Sequence, residues 1–296
     1  MTQIWFSKME GIGNDFIVMD DREGIIESAM PYPELSRKLC DRHFGIGGDG
    51  IILVKHSKDH DIRFVIYNSD GSRADMCGNG MRCFAKYLYE KKILDKKQIR
   101  VQTDAGTVIP EVMVDASGRV TSVTVDMGPP VLSCRDVPFV CDKENAIEEP
   151  IDMADGSTMT VTALGMGNPH AVVFVEDLSR LDVAGQGRAI EIHSRFPAKT
   201  NVEFIQVMDN QTLKMKVWER GAGMTLACGT GACAALTAAH LTGRTGNRAT
   251  VMLDGGDLSI FWDKSTGHLF KTGAARLVFE GVIPVRPAGG SDTGNG

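Results

Sequence analysis

No stretch of this sequence approaches the ~18 uninterrupted apolar residues of a membrane-spanning helix, so no membrane span is expected. The opening residues Met1-Thr2-Gln3-Ile4-Trp5-Phe6-Ser7-Lys8 lack a basic segment followed by an apolar one. They are not the Arg- and Ser-rich start of a transit peptide either. The expected setting is therefore a reducing cytoplasm. Positive charge is not in excess: 32 Lys+Arg against 38 Asp+Glu leaves a net charge of −6. That balance speaks against nucleic acid or an anionic membrane as the main partner. Cysteine is scarce and odd in number, at seven. A disulfide framework is not expected in so long a chain, and most of these residues read as small core residues. There is no Cys-x-x-Cys pair, and the nearest approach to a zinc ligand set, Cys40-x-x-His43, has the wrong spacing, so no metal is expected. The phosphate-binding G-x-x-x-x-G-K-[ST], the H-E-x-x-H helix and the G-x-S-x-G elbow are all missing. Gly45-x-Gly47-x-x-Gly50 matches the dinucleotide fingerprint, but it follows a helical pattern and precedes a strand, the reverse of the context that fingerprint requires.

What remains is an ordinary globular composition, 43% hydrophobic and 24% charged, over 296 residues, a length that suggests two domains. The chain also repeats itself. Cys77-Gly78-Asn79-Gly80 returns 151 residues later as Cys228-Gly229-Thr230-Gly231. Gly11-Ile12-Gly13-Asn14 returns 154 residues later as Gly165-Met166-Gly167-Asn168. Asn68 and Glu219 each stand nine residues before one of the two cysteines, at the end of an apolar-alternating run. Two motifs with nearly one offset point to a duplicated domain.

The coarse element order agrees. Strands are predicted over 4–8, 16–19, 51–55, 63–67, 98–103, 107–114 and 120–127, with helices over 34–41 and 78–91. The second half repeats the order, with strands over 161–166, 170–175, 203–207, 212–218, 249–253, 257–262 and 269–280 and helices over 181–193 and 229–241. The helix after Cys228 is small and apolar nearly all round, which predicts burial on most sides. The expected fold is mixed α/β (α+β), with two pseudo-symmetric domains, each a strand-rich curled sheet wrapped around a central helix. The domains are expected at 1–127 and 128–272, with the boundary at Gly128-Pro129-Pro130 and a last strand at about 273–286 returning to the first domain. Residues 287–296 read as a disordered tail.

A cysteine that opens a helix sits where unpaired backbone N–H groups and the helix dipole favour a thiolate. The following glycines let those N–H groups approach a ligand, a carboxylate in particular. For one such cysteine a packing role is the simpler reading; two at equivalent places in a duplicated fold point to function. Duplicated domains commonly set such positions face to face across a cleft. Two thiols on opposite sides of one carbon suit stereoinversion, with one removing a proton and the other returning one. Helix N-termini aimed at the carboxylate would stabilise the enolate-like charge that develops. No pyridoxal site is evident and none is required.

Phe6 to Phe16, Asp41 to Gly50, Tyr67 to Ser72, Met76 to Cys83, Gly167-Asn168-Pro169-His170 and Glu219 to Cys233 resemble the diaminopimelate epimerase family, and the likeness runs over essentially the whole chain apart from the tail. The resemblance implies a cofactor-independent isomerase that interconverts LL- and meso-diaminopimelate in lysine and cell-wall synthesis, usually as a homodimer. It implies catalytic roles for Cys77 and Cys228, and assisting roles for His170 toward Cys77 and Glu219 toward Cys228. It implies substrate contacts at Asn14, Asn68, Asn168, Asn201, Glu219 and Arg220, and a backbone cradle for the reacting carboxylate at Gly78-Asn79 and Gly229-Thr230. Bland alternatives are a hydrogen-bonded core histidine at 170, turn residues at 14 and 168, and a solvated pair at 219–220. The need to satisfy a zwitterionic head group favours contact at Asn168 and Arg220. Two positions depart from the family: Gly50, where some members carry Gln, and Met224, where some carry Glu. The other functional readings are a related two-cysteine racemase acting on another amino acid, and a thiol redox or small-molecule binding protein.

Overall fold

The structure, a computed structural model, describes residues 2–285. The expected disordered tail at 287–296 lies outside them. The first half contains strands β1 (Thr2–Gly11) and β2 (Asn14–Asp20), helices α1 (Ile25–Ala29) and α2 (Tyr32–Cys40), and strands β3 (Gly50–Lys55), β4 (Ile62–Asn68) and β5 (Arg73–Ala74). Helix α3 (Gly78–Glu90) follows, then β6 (Val101–Thr103), β7 (Gly106–Val108), β8 (Glu111–Val114) and β9 (Val120–Asp126). The second half runs β10 (Ala146–Asp152), β11 (Thr158–Gly165), β12 (Pro169–Phe174), α4 (Val183–Glu191), β13 (Asn201–Asp209), β14 (Thr212–Glu219) and β15 (Gly223–Thr225). It continues with α5 (Gly229–Leu241), β16 (Arg248–Leu253), β17 (Gly256–Trp262), β18 (Leu269–Gly273) and β19 (Arg276–Val285).

The described residues form two compact units, 2–125 with 274–285, and Asp126–Gly273. In the first unit the strands run in the order β19-β1-β2-β3-β4-β6-β7, with β5 on β4. In the second they run β10-β11-β12-β13-β14-β16-β17-β18, with β15 on β14. From β1 to β7 successive pairings alternate antiparallel, parallel, antiparallel, parallel, antiparallel. From β11 to β17 they alternate in the same way. Each parallel step is a crossover that contains a helix: α2 and α3 in one unit, α4 and α5 in the other. The duplication suggested by two tetrapeptides is thus a duplication of topology.

α3 packs on β1, β2 and β3, and α5 on strands from β11 to β18. Residues Gly231–Ala239 of α5 are all buried. Alanines and glycines there let the sheet close tightly around the helix, and Thr237 satisfies its buried hydroxyl on the Cys233 carbonyl at 2.9 Å. Among the described residues no helix is long and apolar enough to cross a membrane.

Several elements depart from the sequence reading. The single strand expected over 107–114 is broken between β7 and β8 at Ile109-Pro110, since proline has no N–H for the ladder. The run expected over 269–280 is likewise two strands, interrupted at Ala274-Ala275. Strand β10 and the short helix α1 were not anticipated. Cys134 and Cys141 correct the reading of the cysteines. They are joined as a disulfide, because the turn that bonds Val137 N–H to Ser133 O and Phe139 N–H to Cys134 O brings their Cα atoms to 6.5 Å. It closes one local loop. Cys40, Cys77, Cys83, Cys228 and Cys233 are free.

Candidate active site

In the first unit, Cys77 caps α3 in an extended conformation, and its Sγ accepts the Gly80 N–H at 3.4 Å. The thiol also lies 3.8 Å from Asn14 Oδ1, toward which it donates. Asn14 begins β2 directly after the turn at Ile12-Gly13. Its amide is fixed from both ends: Nδ2 donates to Asp49 Oδ2 at 2.5 Å, and Oδ1 accepts from Asn79 Nδ2 at 3.3 Å. Asn79 Oδ1 in turn accepts from Arg82 Nη1 at 2.9 Å. Arg82 is fully buried and forms no ion pair among the described residues, and desolvation pulls its guanidinium below the usual range despite the charge of Glu10. Its Nη2 has no hydrogen-bond partner among the described residues. Asn68 stands exposed at the end of β4, tied to Ser72 Oγ at 2.9 Å.

Behind Asn14, Lys8 bonds Asp15 at 2.5 Å and Arg42 reaches both Asp15 and Asp49. Burial alone would raise the Asp15 carboxyl, but the bonds from Arg42 and Lys8 outweigh it and hold it at about 2. The Gly45–Gly50 loop spends its amides on the end of α2: Gly45 N–H on Asp41 O, Gly47 N–H on Leu39 O and Gly48 N–H on Cys40 O. No cradle for a pyrophosphate is left there. Gly50 is required by space, since a Cβ would stand 2.5 Å from Tyr67 O on β4. A glutamine at 50 would need that backbone to move.

In the second unit, Cys228 caps α5 in the same extended conformation and accepts the Gly231 N–H at 3.4 Å, with Thr230 Oγ1 also at 3.4 Å. Its surroundings differ from those of Cys77. Cys228 is buried, and burial pushes its thiol well above the usual range, with the carboxyls of Glu219 and Glu203 adding to the effect. Glu219 is held by Thr225 Oγ1, which donates to Oε1 at 2.5 Å. It is a positioned carboxyl, and not one half of a solvated pair with Arg220. Arg220 points elsewhere: its N–H donates to Asn201 Oδ1 at 2.8 Å and its Nη1 to Ala198 O at 3.0 Å. Asn201 Nδ2 donates to Pro169 O at 3.1 Å.

His170 is fully buried, and both ring nitrogens are engaged: Nδ1 with Glu203 Oε1 at 2.7 Å and Nε2 with Asn168 Oδ1 at 2.8 Å. This is the geometry of a satisfied core histidine. Glu203 is equally buried, and burial raises its carboxyl against the pull of His170. Its Oε2 has no partner among the described residues.

The structure therefore gathers Cys77, Gly78, Asn79 and Asn14 around one helix start, with Asn68 exposed at the end of β4. It gathers Cys228, Gly229, Thr230 and Glu219 around the other, and links His170 with Asn168 and Asn201 with Arg220 through hydrogen bonds. Sequence reasoning missed Asp49, Arg82, Glu203 and Thr225. Glu203 had a readable signal, a single carboxylate in the apolar run Val202–Ile205. Among the described residues no group of three or more His, Cys, Asp or Glu could hold a metal ion.

A family model described as diaminopimelate epimerase matches residues 6–133 and 162–278. The diaminopimelate epimerase of Desulforapulum autotrophicum is 54% identical over 280 residues, covering 95% of this chain and 99% of its own. That of Heliobacterium modesticaldum is 47% identical with the same coverage. Among solved structures, a probable proline racemase from Agrobacterium radiobacter with bound carbonate superposes at a TM-score of 0.67 and 17% identity, over 97% of this chain and 94% of its own. A hydroxyproline epimerase from Agrobacterium vitis with bound trans-4-hydroxy-L-proline gives 0.67 and 14%, over 95% and 92%. At that identity the two structures speak for the fold alone.

Proposed function

The chain belongs to the diaminopimelate epimerase family, and from that membership we propose that it interconverts LL- and meso-diaminopimelate, a step of lysine biosynthesis, by proton transfer at the α-carbon without pyridoxal phosphate. The observation that carries the chemistry is the pair of cysteines at equivalent helix starts, each with a glycine N–H on its sulfur. One sulfur, as thiolate, takes the α-proton, and the electron pair left on carbon delocalises into the carboxylate. The other sulfur, as thiol, delivers a proton to the opposite face. The configuration inverts, and the two sulfurs have exchanged roles. The N–H groups of Gly78-Asn79 and Gly229-Thr230 carry the carboxylate charge that develops. Asn14, Asn68, Asn168, Asn201 and Arg220 bind the rest of the amino acid, with Glu219 and His170 in support.

The protein works as a homodimer in the cytoplasm. Five of the seven cysteines are free thiols, which suits a reducing compartment, while Cys134 and Cys141 are joined. The edge strand β19 leaves Leu277, Val278, Phe279 and Val282 exposed, with Trp5 of β1 beside Val282, an apolar surface suited to cover by a second copy. Incubation of LL-diaminopimelate in D₂O without pyridoxal phosphate should yield the meso isomer carrying deuterium at the inverted carbon. Absence of α-exchange with diaminopimelate, alongside exchange with a monocarboxylic amino acid, would move the assignment to another racemase of the same chemistry.

A further inference from the structure

A fully buried glutamate seldom lacks a task, because its carboxyl loses hydration that only strong partners replace. Glu203 has one hydrogen-bonded partner, Nδ1 of His170, and its second oxygen has none among the described residues. The site is shaped to hold it there. A Cβ on Gly231 would stand 2.5 Å from Glu203 Oε1, so glycine at this position both gives its N–H to the Cys228 sulfur and makes room for the carboxyl. On the far side of the ring, Nε2 meets Asn168 Oδ1, an atom that only accepts. Nε2 therefore carries a proton, and a second proton lies between Nδ1 and Glu203 Oε1, as a glutamic acid donating to the ring or as an imidazolium donating to the carboxylate. The imidazole is held at both ends and has no free lone pair with which to take a proton from a substrate.

We propose that Glu203 is a positioning residue: through His170 it holds the Asn168 amide in the one orientation that leaves its Nδ2 donors turned toward the amino acid. The inference rests on the reading of Asn168 as a substrate contact. Glu203 selects the ring orientation and tautomer, the ring occupies Asn168 Oδ1, and the amide presents its N–H groups to an acceptor such as the substrate carboxylate. Without Glu203 the ring is free to offer Nε2 as an acceptor. The Asn168 amide would then turn over and present its oxygen to the ligand, an acceptor facing an acceptor.

The test is a double-mutant cycle on the purified full chain with LL-diaminopimelate. Glu203→Leu fills the buried site without a charge. It should raise KM about tenfold and change kcat less than threefold, the pattern of lost substrate binding. In an Asn168→Ala background the same substitution should add less than twofold. Glu203→Gln should recover most of the loss, since its amide can donate to Nδ1 and leave the Nε2 proton on Asn168. Equal effects of Glu203→Leu in the two backgrounds would overturn the proposal alone. An unchanged KM for Asn168→Ala by itself would overturn the substrate role of Asn168, and the proposal with it. If Glu203→Leu does not fold, the ¹⁵N shifts of the His170 ring decide. A protonated Nε2 in the wild type and in Glu203→Gln supports the proposal, and an unprotonated Nε2 in the wild type overturns it.

Discussion

Cys77 and Cys228 share a local geometry but not an environment. Five residues into each helix the two copies diverge: Arg82, a buried cation, follows Cys77, and the apolar Cys233 follows Cys228. Carboxyls face Cys228 and raise its thiol further, which suits a group that waits as an acid. Cys77→Ala and Cys228→Ala should each lower kcat by about a thousandfold or more with the fold intact, since two-base transfer needs both. Cys83, whose thiol burial pushes up to about 12, is an inert core residue. Cys83→Ala should keep activity and lower stability by about 1 kcal/mol, read by urea melts. Asp15 offers a pH signature. Its carboxyl titrates at about 2 in the fold against 3.8 unfolded. It therefore contributes stability above about pH 4, and that contribution is lost as pH falls toward 2. After allowance for its partial exposure this amounts to about 2 kcal/mol at most. Urea melts should show Asp15→Asn less stable than wild type at pH 7, with the gap narrowing by pH 3.

At the scale of elements, α5 was legible to the residue. Its composition excludes a surface position, and Cys228 with its glycines marks the start. Strand ends and breaks were less legible, because apolar alternation continues through positions where the chain turns, as at Ala274-Ala275. The pairing of β3 with β4 sets Gly50 opposite Asn68 and crowds it against Tyr67 O. Nothing local in Gly-Asp-Gly-Ile announces this. Gly50→Ala should lower stability by about 1–3 kcal/mol in thermal or urea melts, as overpacking does. Full stability in that variant would mean the β4 backbone yields freely.

For the whole chain, the exposed row on β19 makes assembly testable. Val278→Lys with Val282→Lys places charge on the apolar edge and should convert a species of twice the chain mass into a monomer, read by light scattering. An unchanged mass would place the contact between copies elsewhere.

The amino-acid sequence alone determined what depends on short segments. These are the two cysteine helix starts, the repeat that pairs them, the asparagines that follow Gly-x-Gly, and the family that those segments resemble. Each rests on short segments, where capping and turn chemistry act. Only the tertiary structure decided which side chains meet from distant strands. Glu203 lies 33 residues from His170 and Asp49 lies 35 from Asn14, and each pair becomes a hydrogen bond only through sheet register and helix packing. The buried Nη2 of Arg82, without a partner among the described residues, has the same origin. Burial and partner choice are properties of the assembled core, where desolvation makes a polar atom's neighbours decisive.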